Sequence, residues 1–194
     1  MVLAHSLVVM TTHLPQTDIL PHLEHELLNI VTQFSAELGA MTDLTAIGNR
    51  IIQELCRAGA TTHGALFLLD REHECYRRIS MMGSVSPTLM PLTLAMDHPL
   101  LHHLLTTNRI ITRDDLTGDL QEADAGGGPH AAMEHVQVTR LVPHSIKDRL
   151  IAFSLLGATT PVAEENARTK SVLAALAQIA TNALDTIVLY EDLH

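Results

Sequence analysis

The chain has 194 residues, of which 46% are hydrophobic and only 3% aromatic, and it carries a formal net charge of −10. This length supports one sizeable core, which must be mainly aliphatic. The charge argues against nucleic acid or an anionic lipid surface as a direct partner. No apolar run reaches the roughly 18 residues of a membrane span. Two unclustered thiols, Cys56 and Cys75, fit a reducing compartment, so we expect an acidic, cytoplasmic protein.

The first third of the chain predicts an arm and two helices. Residues 1–16 show no clear period and no basic segment before their apolar residues, so they are interpreted as a flexible arm and not as a signal peptide. Apolar residues recur every three or four positions from Asp18 to Leu38, as on one face of a helix. Asp43 can cap a second helix, Leu44–Ala58, which Gly59 ends.

The next stretch predicts strands. The apolar run Gly64–Leu69 is typical of a strand buried on both faces, and hence of a central one. After a turn, Glu74–Met82 predicts a more exposed strand with Tyr76 and Ser80 on the same face. Leu89–Leu94 predicts a third strand, which Pro91 confines to an edge or a bulge.

The middle of the chain is less regular. Asp97–Asn108 predicts a short helix capped by Asp97, and residues 110–112 form a short extended piece. Thr117–Pro129 is rich in glycine and acidic residues and is predicted to be a loop. Ala131–Val138 is predicted as a short helix.

The last third predicts a hairpin followed by a helix. Arg140–Ser145 and Leu150–Leu156 are apolar runs separated by a charged turn, and an amphipathic pattern extends from Glu164 to Leu193. Hairpins at both ends of the strand set call for a central antiparallel sheet of five to six strands, with the helices segregated from it. The predicted fold class is α+β.

Five stretches, taken in order, are similar to the segments of one known family. They are Asp43–Gly59, His63–Arg77, Met96–Asn108 with Ile111–Asp115, Leu141–Pro143 with Arg149–Ile151, and Ala174–Leu193. The sequence resembles the GAF domain family, small sensory modules related in shape to PAS domains. The resemblance covers about residues 40–193 and implies one domain over residues 17–194, including its flanking helices. Ala152 stands where a glycine is usual, and His144 where an apolar residue is usual.

The resemblance implies a ligand pocket between the sheet and a lid, which the helix Asp97–Asn108 and residues 117–135 would form. The residues assigned to it are Phe67, Leu69, His98, Arg113, Asp115, His130, Glu134, His144 and Phe153. The alternative interpretation is that the polar members are exposed loop and helix positions without a role.

Thirteen histidines raise the question of a metal or haem. His98 and His102 share a helix face at a spacing of four and could form a site with His130 or His135; the alternative is ordinary surface histidines. We assign no metal site, and the cofactor stays unknown. The predicted lid has no cysteine for covalent bilin attachment. The two cysteines also lack the resolving partner of the methionine sulfoxide-reducing branch, so we do not expect an enzyme.

Two amphipathic helices flank the domain, and only part of their apolar area can pack on the sheet. The remainder predicts a parallel homodimer through a helical bundle. The interface residues are predicted to be Leu23, Leu27, Ile30, Phe34, Leu173, Leu176, Ala180, Ala183, Ile187 and Tyr190. The alternative is that both helices fold back on their own sheet.

The sequence therefore favours a non-catalytic sensory domain. It would bind an unknown small molecule and pass a conformational change through the C-terminal helix to an output domain beyond it, within a homodimer. A second hypothesis is a dimerisation module with an empty pocket, which tight packing of Leu66, Leu68, Val142 and Phe153 under a closed lid would favour. A haem or metal sensor is the third.

Overall fold

The fold is seen in a computed structural model that describes residues 19–83, 91–113, 115, 138–157 and 167–191. The described residues form an antiparallel sheet of six strands with four helices, which confirms the α+β prediction. The elements are α1 (Ile19–Gly39), α2 (Leu44–Ala58), β1 (Gly64–Asp70), β2 (Cys75–Met82), β3 (Thr93–Ala95), α3 (Pro99–Thr107), β4 (Ile111–Thr112), β5 (Val138–Ile146), β6 (Arg149–Gly157) and α4 (Ala167–Glu191).

The strands are ordered β3-β2-β1-β6-β5-β4, and every neighbouring pair is antiparallel. The strands β1 and β6 lie at the centre, which confirms the prediction that β1 is a central strand. Lys147 and Asp148 connect β5 to β6 with φ of 47° and 62°. Positive φ at two successive residues is the geometry of the tight turns that match the twist of antiparallel hairpins.

The sheet separates two hydrophobic clusters, one on each face. The face covered by α3 is called the α3 face, and the face covered by α1, α2 and α4 is called the α4 face. The buried cluster of the α3 face comprises Ala65, Phe67, Tyr76, Leu94, Leu100, Leu101, Leu104, Ile111, Val138, Leu141, Leu150, Phe153 and Leu155. Strand residues of the α4 cluster include Leu66, Leu68, Val142, Ala152 and Leu156. The alternation of β1 between the clusters follows from the two-residue period of a strand. In β6 the period is interrupted once, because the register with β5 shifts at Ile151, and both Ile151 and Ala152 lie in the α4 cluster.

A β-bulge corrects the prediction for β2. Leu66 pairs with Ser80, but the next residue, Phe67, pairs with Arg78, so Ile79 is the extra residue. One extra residue turns the side chains on its two sides to opposite faces of the sheet. Tyr76 is therefore buried on the α3 face, whereas the Ser80 hydroxyl donates to Asn49 Oδ1 of α2 at 2.6 Å. The expectation that both side chains share a face was wrong.

The helix caps agree with the sequence in one helix and differ in another. At the start of α2, Asp43 Oδ1 accepts the Ala46 N–H at 2.6 Å, and Gly59 caps the other end, as expected. In α3 the N-cap is His98 and not Asp97: its Nδ1 accepts the Leu100 N–H at 3.3 Å. An imidazole nitrogen without its proton can accept this bond as a carboxylate would.

The longest helix, α4, has 25 residues and packs on the sheet. Its segment Arg168–Leu189 is long and apolar enough to cross a membrane by length and composition alone, contrary to the expectation from the sequence. A helix packed on its own sheet meets the same criteria. The α4 side chains of the α4 cluster are Leu173, Leu176, Ala177, Ala180, Leu184 and Ile187.

Other expectations are settled only in part. The strand predicted over Leu89–Leu94 is observed as β3, further along the chain, where the structure describes it. The helix predicted over Ala131–Val138 is wrong at Val138, which opens β5, and its other residues lie outside the described part. The predicted arm, residues 1–16, also lies outside it.

Candidate functional site

Three aromatic side chains form the floor of the α3 face. Phe67 and Phe153 are register partners on β1 and β6, and their rings stack with centroids 5.0 Å apart and an interplanar angle of 2°. Tyr76 meets Phe153 edge-on at 5.1 Å, and each of the three is at most 1% exposed. The Tyr76 hydroxyl donates to the Leu150 carbonyl at 3.0 Å, and burial raises its pKa to about 12. The floor is therefore apolar and uncharged.

The helix α3 covers this floor with three leucines, and Leu69 packs against it from the end of β1. His98 lies at the beginning of α3, where burial lowers the pKa of its imidazole and the nearby Asp97 opposes that effect. Its Nδ1 is already used to cap the helix. In this structure His98 therefore serves as the N-cap of α3.

Arg113 and Asp115 follow the edge strand β4. The Arg113 Nη2 donates to the Val138 carbonyl at 2.9 Å, while its Nε is buried and has no hydrogen-bond partner among the described residues. Asp115 Oδ2 accepts the Thr112 N–H at 2.8 Å and its hydroxyl at 2.7 Å. Burial raises the pKa of Asp115, but these two hydrogen bonds and the positive charges of Lys170 and Arg109 lower it overall. Asp115 therefore stabilises the turn after β4.

The structure does not bring His144 to this site. The side chain lies on the α4 face, fully buried, with Nε2 2.9 Å from Ser154 Oγ and Nδ1 3.2 Å from the Ala177 carbonyl oxygen of α4. The sheet separates it from Phe67 and Phe153, so its assignment to the pocket was wrong. Burial lowers its pKa to about 4, with the Ala177 carbonyl opposing the shift. His130 and Glu134, also assigned to the pocket, lie outside the described residues.

Half of the predicted dimer residues are buried within the chain. Five of them are at most 8% exposed and belong to the α4 cluster: Phe34, Leu173, Leu176, Ala180 and Ile187. This corrects their assignment to an interface, since α4 packs on the sheet of its own chain and α1 packs on α4. Leu27, Ile30 and Ala183 are half-buried, and nothing is described for the side chains of Leu23 and Tyr190. Among the side chains described in α1 and α4, Leu28 and Leu189 are large apolar ones exposed to solvent, at 59% and 55%.

Metal and thiol chemistry find little support in the described residues. Among them, no group of three His, Cys, Asp or Glu side chains could hold a metal ion. Cys56 is buried in α2, where burial raises the pKa of its thiol, and Cys75 begins β2; both are free. A protonated buried thiol is a poor nucleophile.

A charged network on α2 was not predicted from the sequence. Glu54 is only 4% exposed, yet its carboxylate accepts from Arg57 and, at 2.8 Å, from Arg50 Nη1. Arg50 Nε also donates to Glu37 on α1 at 2.6 Å. The sequence does contain a signal for this network, because Glu54 lies four residues after Arg50 and three before Arg57, and residues at these spacings are neighbours on a helix. The network borders a groove of about 430 Å³ lined by Ile30, Gln33, Phe34, Arg50, Gln53, Glu54 and Arg57.

Comparison with known proteins identifies the fold. The sequence matches no protein-family model and no curated protein. Among solved structures, the GAF domain of a phosphoenolpyruvate-protein phosphotransferase from Coxiella burnetii is similar with a TM-score of 0.64 and 15% identity, over 87% of this chain and 98% of that one. A methyl-accepting chemotaxis protein segment gives 0.61 and 13%, over 81% and 98%. Free methionine-R-sulfoxide reductase from Neisseria meningitidis gives 0.59 and 12%, over 84% and 91%. The chain has the GAF-domain fold.

Proposed function

We propose that this chain is a sensory or regulatory domain of a cytoplasmic signalling protein. It binds a small molecule at the α3 face and passes the change through α4 to an output domain, as one half of a homodimer. The resemblance of its fold to a chemotaxis protein and to the GAF domain of a phosphotransferase supports the signalling context.

The observation that carries the proposal is the construction of β6. All residues from Leu150 to Gly157 are buried. Phe153 and Leu155 belong to the cluster of the α3 face, whereas Ala152 and Leu156 belong to the cluster against which α4 packs. Close-packed interiors transmit displacement because they hold little free volume. A ligand that moves Phe153 therefore moves the surface on which α4 rests.

The chemistry of the α3 face indicates the class of ligand. An aromatic floor favours a flat or apolar body. The Nε–H of Arg113, which has no acceptor within the described part of the chain, favours a ligand with an acceptor such as a carboxylate or a carbonyl. Catalysis is not proposed. The reductase among the similar structures acts on methionine sulfoxide, whereas the thiol of Cys56 is buried in α2 and protonated.

Native mass spectrometry of the purified protein, compared with its denatured mass, tests the proposal. A dimer that carries an extra non-covalent mass is the expected result. Arg113→Gln should lower the ligand-bound fraction, while Arg109→Gln, an exposed arginine nearby, should not. A bare dimer that binds no member of a library of small carboxylates refutes the sensor. A bare monomer refutes the homodimer.

A second candidate is a dimerisation module without a ligand. The observation that favours it is the packing of Phe67, Tyr76 and Phe153, which are buried against one another and against α3. The sequence predicted that four residues would pack together in this case, but they lie on opposite faces of the sheet. Leu66, Leu68 and Val142 lie on the α4 face, and Phe153 lies on the α3 face. The bare dimer in the same experiment supports this candidate.

A further inference from the structure

Three elements meet at the imidazole of His144. Its Nε2 lies 2.9 Å from Ser154 Oγ on β6, and its Nδ1 lies 3.2 Å from the Ala177 carbonyl oxygen and 3.3 Å from Thr181 Oγ1 on α4. A carbonyl oxygen only accepts, so the proton is on Nδ1, and Nε2 accepts the Ser154 hydroxyl. The ring is thus neutral, and both of its nitrogens are engaged.

This contact differs in kind from the apolar packing beside it. Leu173, Leu176 and Leu184 bury aliphatic surface against the sheet, and hydrophobic burial is non-directional. A hydrogen bond to one particular carbonyl is directional and fails when the acceptor moves by an ångström or two. The bond from His144 to Ala177 therefore specifies where α4 lies along the sheet, in a way that leucine contacts do not.

The contact is also adjacent to the aromatic floor. Ser154 follows Phe153 on β6, and successive strand residues point to opposite faces. Phe153 stacks on Phe67 on the α3 face, while Ser154 donates to His144 on the α4 face. A shift of β6 at the stacked rings is therefore also a shift of the donor that holds the His144 ring.

We propose that His144 and Ser154 are positioning residues that fix the register of α4 on the sheet and carry a displacement of β6 to it. The inference rests on the proposed function only for the role of α4 as the output helix.

The test is a distance measurement between spin labels on Arg149→Cys and Gln178→Cys in the full chain. Both positions are exposed, and Cys75→Ser removes the accessible thiol while Cys56 stays buried. The variant His144→Leu with Ser154→Ala replaces both polar partners by apolar groups, a change that can be nearly neutral for stability. We expect a narrow distance distribution in the parent and a broadened or shifted one in this variant.

Two matched controls distinguish a change in the position of α4 on the sheet from a general loosening of the core. Thr181 and Thr186 donate to the carbonyls four residues before them at 2.7 Å and 2.8 Å, but only Thr181 contacts His144. Thr181→Val should broaden the distribution, and Thr186→Val should not. Ser80→Ala removes a strand-to-helix bond from β2 to α2 and should also leave it unchanged.

Rescue and spectroscopy complete the test. His144→Gln, which can donate and accept, should recover most of the parent distribution. The imidazole ¹⁵N signals of His144 at pH 7 should report a proton on Nδ1 only. A folded double variant with the parent distribution, or a proton on Nε2, overturns the inference. Neither the distance measurement nor the ¹⁵N spectrum uses a ligand. Failure of the positioning role of His144 is therefore distinguished from failure of the sensory function, which native mass spectrometry tests by detecting a bound molecule.

Discussion

The two faces of the sheet are stabilised in different ways. On the α3 face, stacked and edge-on rings pack under leucines, and the polar side chain of that cluster, Tyr76, bonds to a carbonyl of the same sheet. On the α4 face, aliphatic packing surrounds a hydrogen-bonded group that joins β5, β6 and α4 through His144. The α3 face is held together by the packing of its side chains, whereas the α4 face also has directional hydrogen bonds that fix the position of α4 on the sheet.

This difference separates two tasks. Apolar contacts between rings accept small displacements at modest cost, because dispersion and burial change gradually with position. Directional hydrogen bonds in a low-dielectric interior change steeply. A domain built this way tolerates movement on one face and converts it into a discrete change on the other. Substitutions on each face can test this contrast, beginning with the largest expected effect.

Phe153→Ala should lower the free energy of unfolding by about 3–5 kcal/mol, because it removes a fully buried ring and its two aromatic contacts. Phe153→Leu, which keeps most of the apolar area, should cost about 1–2 kcal/mol. Urea unfolding followed by circular dichroism measures both. A loss below about 1 kcal/mol for the alanine variant would show that the ring borders unfilled space and is not part of a packed core.

Acidification should weaken the α4 face through His144. Its pKa is about 4 in the folded protein and near 6.5 when unfolded. Between these values the unfolded chain binds more protons, so stability is present above pH 6.5 and is lost as the pH falls toward 4, by up to about 3 kcal/mol. The free energy of unfolding of the parent and His144→Gln should diverge in slope over this window.

Burial also lowers the pKa of His98, so this residue contributes to the loss of stability in acid with the same sign. The control variant His98→Gln measures that contribution separately from the contribution of His144. Hydrogen bonds hold the pKa values of Glu37, Asp70 and Asp115 below those of ordinary carboxyl groups, so the stability that these groups contribute is lost at the acid end of the titration. If the His144→Gln variant keeps the parent's slope between pH 6.5 and 4.5, His144 is not the buried neutral group described here.

How far the fold can be predicted from the sequence is seen in β2. The continuous apolar runs predicted β1, β5, β6 and the order of elements, because burial on both faces leaves a pattern that neighbours cannot change. The bulge at Ile79 leaves no such pattern, so the placement of Tyr76 failed. An extra residue in one strand is decided by packing across the sheet, and not by local propensity.

The same limit applies to the site. The family resemblance assigned Phe67 and Phe153 to one pocket, and the structure pairs them on one face of the sheet. The resemblance assigned His144 to the same pocket, and no local feature of the sequence shows which face of the sheet a polar residue in an apolar strand takes. The face that His144 takes is decided by its hydrogen bond to the Ala177 carbonyl of α4, 33 residues further along the chain. Long-range hydrogen bonds of this kind leave no period in the sequence.

Ser154→Ala tests a single bond of the α4 face. It leaves the buried Nε2 of His144 without its donor, which should cost about 1–3 kcal/mol in the free energy of unfolding. Ser80→Ala should cost less, because Asn49 on the exposed side of α2 can turn to water. Equal losses in urea unfolding would mean that the α4 face gains nothing special from the His144 contact.

Tyr76→Phe makes the corresponding change on the α3 face and should have the smallest effect, about 1 kcal/mol. It removes the hydroxyl that donates to the Leu150 carbonyl but keeps the ring against Phe153. Because this bond stays within the sheet, the label distance between positions 149 and 178 should not change, whereas Ser154→Ala should broaden it. Each variant loses one hydroxyl donor from one face of the same sheet. If Tyr76→Phe moved α4 as far as Ser154→Ala does, the two faces would not differ in kind, and general softening of the core would explain both.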